Sequence, residues 1–106
     1  MIYVVATIEL QAGRRDAFLA AQRELLGLVR AEPGCLEYAP SVDVAVSDPP
    51  STPLRENVVV MQEKWESLDA LRAHSIAPHM KDFREKVQSM IVGIKIEVFE
   101  PVEKEG

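Results

Sequence analysis

The chain opens with the stretch Ile-Tyr-Val-Val-Ala-Thr-Ile-Glu-Leu at residues 2–10, and this stretch decides how the rest must fold. Its even-numbered positions are all apolar, whereas its odd-numbered positions are of mixed character. Neighbouring side chains of a strand point to opposite faces of a sheet, so the alternation predicts a β-strand with one wholly apolar face. A face of this kind must be covered by another element.

The next segment of the chain has the pattern of an element that packs on this apolar face. Apolar residues recur there at helical spacing, at Phe18, Ala21, Leu25 and Leu28. Polar residues, Gln22 among them, flank this stripe, which predicts an amphipathic helix that begins after Gly13 and packs on the strand. The helix must end near Glu32, because Pro33 disfavours a helical residue before it.

Alternation and turn residues predict three more strands and a second helical region. We expect strands at residues 35–46, 58–65 and 94–99. Pro40 interrupts the first of these, which favours an edge strand or a bulge, and three prolines between residues 47 and 57 predict an irregular hairpin loop. Ser67 suits the N-cap of a short helix that runs through Ala73. Pro78 suits the first position of a second helix, which Gly93 ends.

The predicted order is β-α-β-β-α-β, the ferredoxin-like split βαβ fold of the α+β class, with a four-stranded antiparallel sheet and its helices on one side. We expect one domain at residues 1–100 and a polar tail at residues 101–106. Two helices cover only one face of the sheet. To the other face we assign Tyr3, Val5, Thr7, Val59, Met61, Trp65 and Phe99. Because an uncovered face of this kind needs a partner, we expect a homodimer that buries the two faces together.

Composition excludes several classes of partner. The chain has 106 residues with 12 basic and 17 acidic side chains, a net charge of −5, and no stripe of Lys or Arg. Nucleic acid and anionic membranes are therefore disfavoured as partners. The single cysteine, Cys35, excludes an intrachain disulfide and a multi-cysteine metal site. No apolar run is long enough for a membrane span and the first residues lack a signal-peptide pattern, so we expect a cytoplasmic protein.

Three short motifs make the chain recognisable. They are Glu-Pro-Gly-Cys at residues 32–35, Glu-Lys-Trp-Glu-Ser at residues 63–67, and the histidines His74 and His79 with four residues between them. Together they resemble the antibiotic biosynthesis monooxygenase family, in particular its quinol-monooxygenase-like branch, over roughly residues 1–100. The resemblance implies a dimeric α/β barrel. It also implies oxidation of a small phenolic, quinol or anthrone-like substrate by dioxygen, with no cofactor and no metal ion.

The resemblance implies roles for particular side chains. His74 and His79 are the candidate catalytic residues, with His74 the favoured proton acceptor, because imidazole exchanges a proton near neutral pH. A deprotonated phenol or hydroquinone is electron-rich and passes an electron to dioxygen directly. The candidate substrate-binding residues are Trp65 and Phe83 as apolar walls, with Tyr3, Thr7 or Tyr38 as hydrogen-bond partners.

Each candidate also has a purely structural interpretation. His74 suits a helix C-terminus, where the helix dipole favours imidazolium, and His79 suits an exposed position. Trp65 suits the core, and Cys35 suits a small buried position better than a nucleophilic role. A metal site formed by His74, His79 and Glu63 is disfavoured, since a proline breaks the helical register between the two histidines.

Other functions stay open at this level. Haem-degrading members of the family resemble one another in an Asn on the first strand, and in a Trp and a His after the third. The corresponding positions here hold Thr7, His74 and residues 81–83, so haem is a disfavoured substrate. The alternatives are a non-catalytic small-molecule-binding or stress-response dimer, and an isomerase that uses His74 and His79 as an acid–base pair. The enzyme hypotheses require a histidine that faces a cavity.

Overall fold

The alternating stretch at the start of the chain forms an inner strand of a four-stranded antiparallel sheet, as predicted. The computed structural model describes residues 1–103, so residues 104–106 of the predicted tail lie outside the described residues. The strands are β1 (Ile2–Leu10), β2 (Cys35–Ser41), β3 (Val58–Trp65) and β4 (Ile91–Phe99), in the spatial order β2-β3-β1-β4. The helices are α1 (Arg15–Arg30), α2 (Leu68–Ser75) and α3 (Pro78–Val87), and a short 3-10 turn, Gln88–Met90, precedes β4. The ferredoxin-like α+β fold is confirmed.

The helix boundaries follow from local interactions that the sequence signals. The Ser67 hydroxyl accepts a hydrogen bond from the backbone N–H of Ala70 at 3.1 Å and so caps α2. Pro78 occupies the start of α3, where its missing N–H costs nothing. The Arg30 guanidinium donates two hydrogen bonds, at 3.0 and 3.1 Å, to the backbone carbonyl of Tyr38. These bonds tie the end of α1 to β2.

The predicted boundaries of β2, α3 and β4 are wrong, and β4 begins at Ile91 rather than at Ile94. β2 ends at Ser41 rather than at residue 46, because its partner strand begins only at Val58 and offers little further length for pairing. α3 ends at Val87, well before Gly93, and Gly93 lies inside β4, where it pairs with Glu9. The register of β1 with β4 shifts immediately after Glu9, an irregularity at which a residue without a side chain is readily accommodated.

The register between β1 and β3 overturns part of the predicted open face. Ile2 pairs with Trp65, and Ala6 pairs with Met61. Paired residues of an antiparallel sheet share a face, so Trp65, Met61 and Val59 lie beneath the helices with the buried face of β1. Alternation within a strand indicates two faces, but it does not say which of them the strand turns towards the helices.

The open face of the sheet is of mixed polarity. Its apolar and aromatic members are Tyr3, Val5, Val60 and Phe99, and its polar members include Thr7, Gln62, Lys64, Lys95 and Glu97. Tyr3, Val5, Thr7 and Phe99 therefore lie where the alternation placed them. Among residues 1–103, no helix has the length and apolarity needed to cross a bilayer.

The helices leave the β4 side of the sheet uncovered. Ile94 and Ile96 pair with Ile8 and Ala6, so they point to the same side as the helices. They are nevertheless 52% and 65% exposed, because α1 packs against β2 and α2 against β3. The resulting gap leads into a cavity between the sheet and the helices.

Candidate active site

A cavity of about 400 Å³ lies between the helix-facing side of the sheet and the three helices. Its lining includes Val4, Ala6, Ile8, Phe18, Gln22, Tyr38, Met61, Glu63, His74, Met80, Phe83, Ile94 and Ile96. The walls are thus mainly apolar, with a few polar groups, which is the usual composition of a site for a small organic ligand. The volume falls within the range of such sites.

His74 is the histidine that lines this cavity. It lies in the last turn of α2 and is only 6% exposed. Its ring packs on Trp65, with ring centroids 4.6 Å apart, and meets Tyr38 edge-on at 5.5 Å. These two aromatic contacts hold the imidazole in one orientation on the cavity wall.

A single carboxylate, Glu32, joins the two histidines. The Nδ1 atom of His74 lies 3.0 Å from Glu32 Oε2, and the Nε2 atom of His79 lies 2.7 Å from the same oxygen. An ionised carboxylate only accepts hydrogen bonds, so both nitrogens carry a proton when Glu32 is ionised. When the His74 ring is neutral, the proton on Nδ1 leaves the lone pair on Nε2. A carboxylate that orients an imidazole in this way prepares it to accept a proton.

Glu63 is a carboxyl group on the lining of the cavity itself. It is 8% exposed, and its Oε1 atom accepts a hydrogen bond from the indole N–H of Trp65 at 3.0 Å. Burial raises the pKa of Glu63 above its ordinary value, while the Trp65 hydrogen bond and His74 act in the opposite direction and Glu32 adds to the rise. Glu63 therefore retains its proton to a higher pH than an exposed glutamate does.

Tyr38 and Gln22 are further polar residues of the cavity lining. Burial raises the pKa of the Tyr38 hydroxyl far above its ordinary value, although a hydrogen bond with Gln22 acts to lower it. Tyr38 is therefore a neutral hydroxyl at physiological pH. Gln22 is 1% exposed, and its Oε1 atom has no hydrogen-bond partner among residues 1–103.

Three of the side chains expected at the site lie on the cavity wall: His74, Tyr38 and Phe83. His79 does not line the cavity, and it is linked to His74 on the cavity wall through Glu32. Trp65 is completely buried behind His74, where it supports the imidazole rather than forming the wall.

Tyr3 and Thr7, the other expected hydrogen-bond partners, lie away from the cavity. They occupy the open face of β1, whereas the cavity is lined by its alternate residues Val4, Ala6 and Ile8. The sheet itself therefore separates both side chains from the site. Tyr3 instead lines a separate cavity of about 520 Å³, which contains neither histidine.

Sequence reasoning missed the roles of Glu32 and Gln22. Glu32 was visible in the Glu-Pro-Gly-Cys motif, but only as part of a helix-ending turn. Gln22 was assigned to the polar flank of α1, yet it is buried beside Phe18 and Leu25. A signal was present, since position 22 lies four residues after Phe18 and three before Leu25, which places it on the apolar stripe.

The structure also bears on metal binding and on nucleophilic chemistry at these residues. No group of three or more His, Cys, Asp or Glu side chains within the described part of the chain is arranged to hold a metal ion. Burial, together with the nearby Glu32 and Glu63, raises the pKa of the Cys35 thiol. Because the thiolate is the nucleophile, this environment disfavours a nucleophilic role for Cys35.

Comparison with known proteins identifies the family. The family model described as antibiotic biosynthesis monooxygenase matches residues 1–86. The Escherichia coli K12 protein named "Probable quinol monooxygenase YgiN" is 36% identical over 105 residues, which cover 95% of this chain and 98% of that protein.

Solved structures agree with this match. PA3566 from Pseudomonas aeruginosa superposes with a TM-score of 0.78 at 25% identity, covering 96% of this chain and 94% of that chain. A protein of Nitrosomonas europaea superposes with a TM-score of 0.81 at 15% identity, covering 97% of this chain and 100% of that chain, which supports the fold. The chain belongs to the antibiotic biosynthesis monooxygenase family.

Proposed function

We propose that this protein is a cofactor-independent monooxygenase that oxidises a small phenolic, quinol or anthrone-like substrate with dioxygen. The observation that carries this proposal is the Glu32–His74 pair on the wall of an apolar cavity. The family match supports a monooxygenase, and the name of the Escherichia coli relative supports a quinol as substrate.

The first step assigned to the protein is removal of a proton from a substrate hydroxyl. His74 Nε2 accepts that proton, and the resulting imidazolium is stabilised by Glu32 through Nδ1. The substrate anion then transfers an electron to dioxygen, and the radical pair combines at a ring carbon to form a hydroperoxide. Loss of water from the hydroperoxide leaves one oxygen atom in the product. For a hydroquinone, the balance is one substrate and one dioxygen to one hydroxyquinone and one water.

The remaining contributions are orientation and exclusion of water. Phe83, Met61 and Ile96 provide apolar walls against which an aromatic ring packs. An apolar surrounding strengthens the interaction between imidazolium and substrate anion, because few water dipoles screen it. The neutral Tyr38 hydroxyl is available to donate a hydrogen bond to a substrate oxygen.

The central test compares the two histidines. We expect His74→Ala to lower the rate of oxygen consumption by about 100-fold or more, the usual contribution of a positioned base. We expect His79→Ala to have a smaller effect, since its ring does not line the cavity and acts through Glu32. The measurement is oxygen-electrode assay of both variants and the wild type over a panel of hydroquinones and anthrones.

The outcomes separate this proposal from its alternatives. Equal oxygen uptake by wild type and His74→Ala would remove His74 from the mechanism. Conversion of substrate without oxygen would indicate an isomerase. Binding of the panel with neither oxygen uptake nor conversion would indicate a non-catalytic binding protein.

We also infer a homodimer, for which the uncovered sheet face is the support. Tyr3, Val5 and Val60 are half-buried on that face, and Phe99 is 47% exposed. A second copy packed on this face would remove these side chains from water.

A further inference from the structure

Two arginines lie on the mainly apolar lining of the cavity, and the proton-transfer mechanism uses neither of them. They are Arg72 of α2 and Arg84 of α3. The Arg72 guanidinium is paired with the carboxylate of Asp69 at 3.3 Å. Arg84 has no Asp or Glu side chain within ion-pair distance among residues 1–103. The positive charge of Arg84 is therefore available to a ligand.

A hydrogen bond fixes where the Arg84 guanidinium lies. Its Nη2 atom donates to the backbone carbonyl of Ser75, the last residue of α2, at 2.9 Å. Ser75 directly follows His74, and consecutive Cα atoms are about 3.8 Å apart. The Nη2 atom therefore lies within about 10 Å of the His74 Cα atom. A guanidinium has more N–H donors than this bond uses, so donors remain for a further acceptor.

Arg84 lies at the mouth of the cavity, where a ligand can reach it. The residue is exposed, and it lines both the cavity and an adjoining groove of about 320 Å³. The cavity and the groove also share Ile91 and Ile94. Ile94 belongs to the gap that the helices leave over β4. A ligand whose ring occupies the cavity would therefore carry a substituent past Arg84 where it emerges.

The chemistry of this arrangement suits an anionic substituent. A guanidinium forms two parallel, charge-assisted hydrogen bonds with a carboxylate. The chain carries a net charge of −5, which repels a free anion. A cation without a carboxylate partner counteracts that repulsion where the ligand enters.

We propose that Arg84 is a substrate-binding residue that pairs with a carboxylate on the substrate, so that the site takes a hydroxylated aromatic acid with its ring in the cavity and its carboxylate at the mouth. The position of the hydroxyl rests on the function proposed for His74. Recognition of the carboxylate by Arg84 does not require that oxidation follow.

The experiment compares two probes of the same shape in the absence of oxygen, so that turnover plays no part. The probes are 2,5-dihydroxyphenylacetate and its neutral amide, 2,5-dihydroxyphenylacetamide, and isothermal titration measures the affinity of each. The wild type is expected to bind the acid about tenfold more tightly than the amide, because the acid alone forms charge-assisted hydrogen bonds. Arg84→Met, which keeps an unbranched side chain but removes the charge, is expected to bind the two probes equally, and the amide as the wild type does.

Two further variants serve as controls. Arg84→Lys retains the charge without the planar set of donors and is expected to keep part of the preference for the acid. Arg23→Met removes the same charge from an exposed position of α1 outside the cavity, and it is expected to bind both probes as the wild type does. Circular dichroism confirms that each variant is folded.

Four results would overturn the proposal. They are equal affinity of the wild type for the two probes, binding of neither, an unchanged preference in Arg84→Met, and an equal loss of affinity for both probes in that variant. The last would mean that Arg84 only holds α3 against α2. Oxygen-electrode assays with the acid test oxidation separately. An acid that binds through Arg84 without oxygen uptake would contradict the monooxygenase proposal and leave this one standing.

Discussion

At the scale of single residues, Glu32 determines which ring nitrogen of each histidine is engaged in a hydrogen bond. One of its oxygens lies within 3.0 Å of His74 Nδ1 and 2.7 Å of His79 Nε2. The two imidazoles therefore present different atoms to their surroundings, since each is held through a different ring nitrogen. His74 offers Nε2 on the cavity wall, and His79 serves to anchor the carboxylate from the start of α3.

The buried carboxyl group of Glu63 makes stability depend on pH. Its pKa is raised in the folded protein by burial, whereas in the unfolded chain it has the ordinary value near 4.5. The folded state therefore binds this proton more tightly than the unfolded chain does. The contribution of the proton to the free energy of unfolding is fully present below the ordinary pKa. That stability is lost as the pH rises through the raised pKa.

We expect Glu63→Gln to be more stable than the wild type near neutral pH. The amide oxygen still accepts the hydrogen bond of the Trp65 indole, but no charge has to be buried. As the pH rises from the ordinary pKa of Glu63 to its raised pKa, the free energy of unfolding of the variant should gain on that of the wild type. The gain should be roughly 1 kcal/mol for each pKa unit between the two values. Urea unfolding of both proteins from pH 4 to pH 8, followed by Trp65 fluorescence, measures this difference. Stability curves that stay parallel over this range would contradict it.

The candidate site was only partly predictable at this scale. His74 was identified from the spacing of the two histidines and from the ability of imidazole to exchange a proton near neutral pH, and it lines the cavity. Tyr3 and Thr7 were misplaced, because residue type suggests hydrogen bonding but not which side of the sheet holds the cavity. Glu32 and Gln22 were missed, because their roles depend on contacts between elements far apart in the sequence.

At the scale of elements, the turn between α1 and β2 positions the Glu32 carboxylate against α2. Gly34 adopts a φ of +84°, and its backbone carbonyl accepts a hydrogen bond from the N–H of Glu66 at 2.9 Å. A Cβ atom at Gly34 would lie 2.6 Å from the Cβ of Ala70, so α2 packs directly on this turn. The close approach is what brings Glu32 and His74 together.

A pair of glycine substitutions isolates this contact. Gly13 also has a positive φ, +78°, but a Cβ atom there would meet nothing within 4 Å. We expect both Gly13→Ala and Gly34→Ala to lose about 1–2 kcal/mol from the left-handed backbone. Gly34→Ala should lose about 1–3 kcal/mol more from the clash with α2. Thermal unfolding measures both losses, and equal losses would contradict the packing argument. Adding Ala70→Gly to Gly34→Ala should remove this additional loss, because the Cβ atom that clashes is then absent.

Periodicity predicted the elements much better than it predicted their pairing. The helix-capping role of Ser67 and the start of α3 at Pro78 are local properties, and both were predicted correctly. The faces of β3 were assigned wrongly, because the register between β1 and β3 is set by the packing of the whole sheet. The end of β2 depends in the same way on where its partner strand begins.

At the scale of the whole molecule, two apolar surfaces bear on assembly. One is the open face of the sheet, with Val5 and Val60 near its centre. The other is the helix-facing side of β4, where Ile94 and Ile96 lie at the gap that leads into the cavity. β4 is also an edge strand, with unpaired backbone groups along one side. A partner on the open face would shield the first surface, and a partner along the β4 edge would narrow the entrance at the second.

We therefore expect the wild type to sediment as a dimer of the 11.8 kDa chain at micromolar concentration. Val60→Lys should shift it to the monomer, because a two-fold interface takes the new charge of both copies out of water at once. Glu85→Lys adds a positive charge on the exposed part of α3 and should leave the dimer intact. Sedimentation velocity distinguishes the states, with circular dichroism to confirm folding.

A wild type that stays monomeric, or a Val60→Lys variant that stays dimeric, would show that the open face is not the interface. In the second case the exposed side of β4 would be the surface that pairs, and Ile96→Lys would then be the variant that dissociates it.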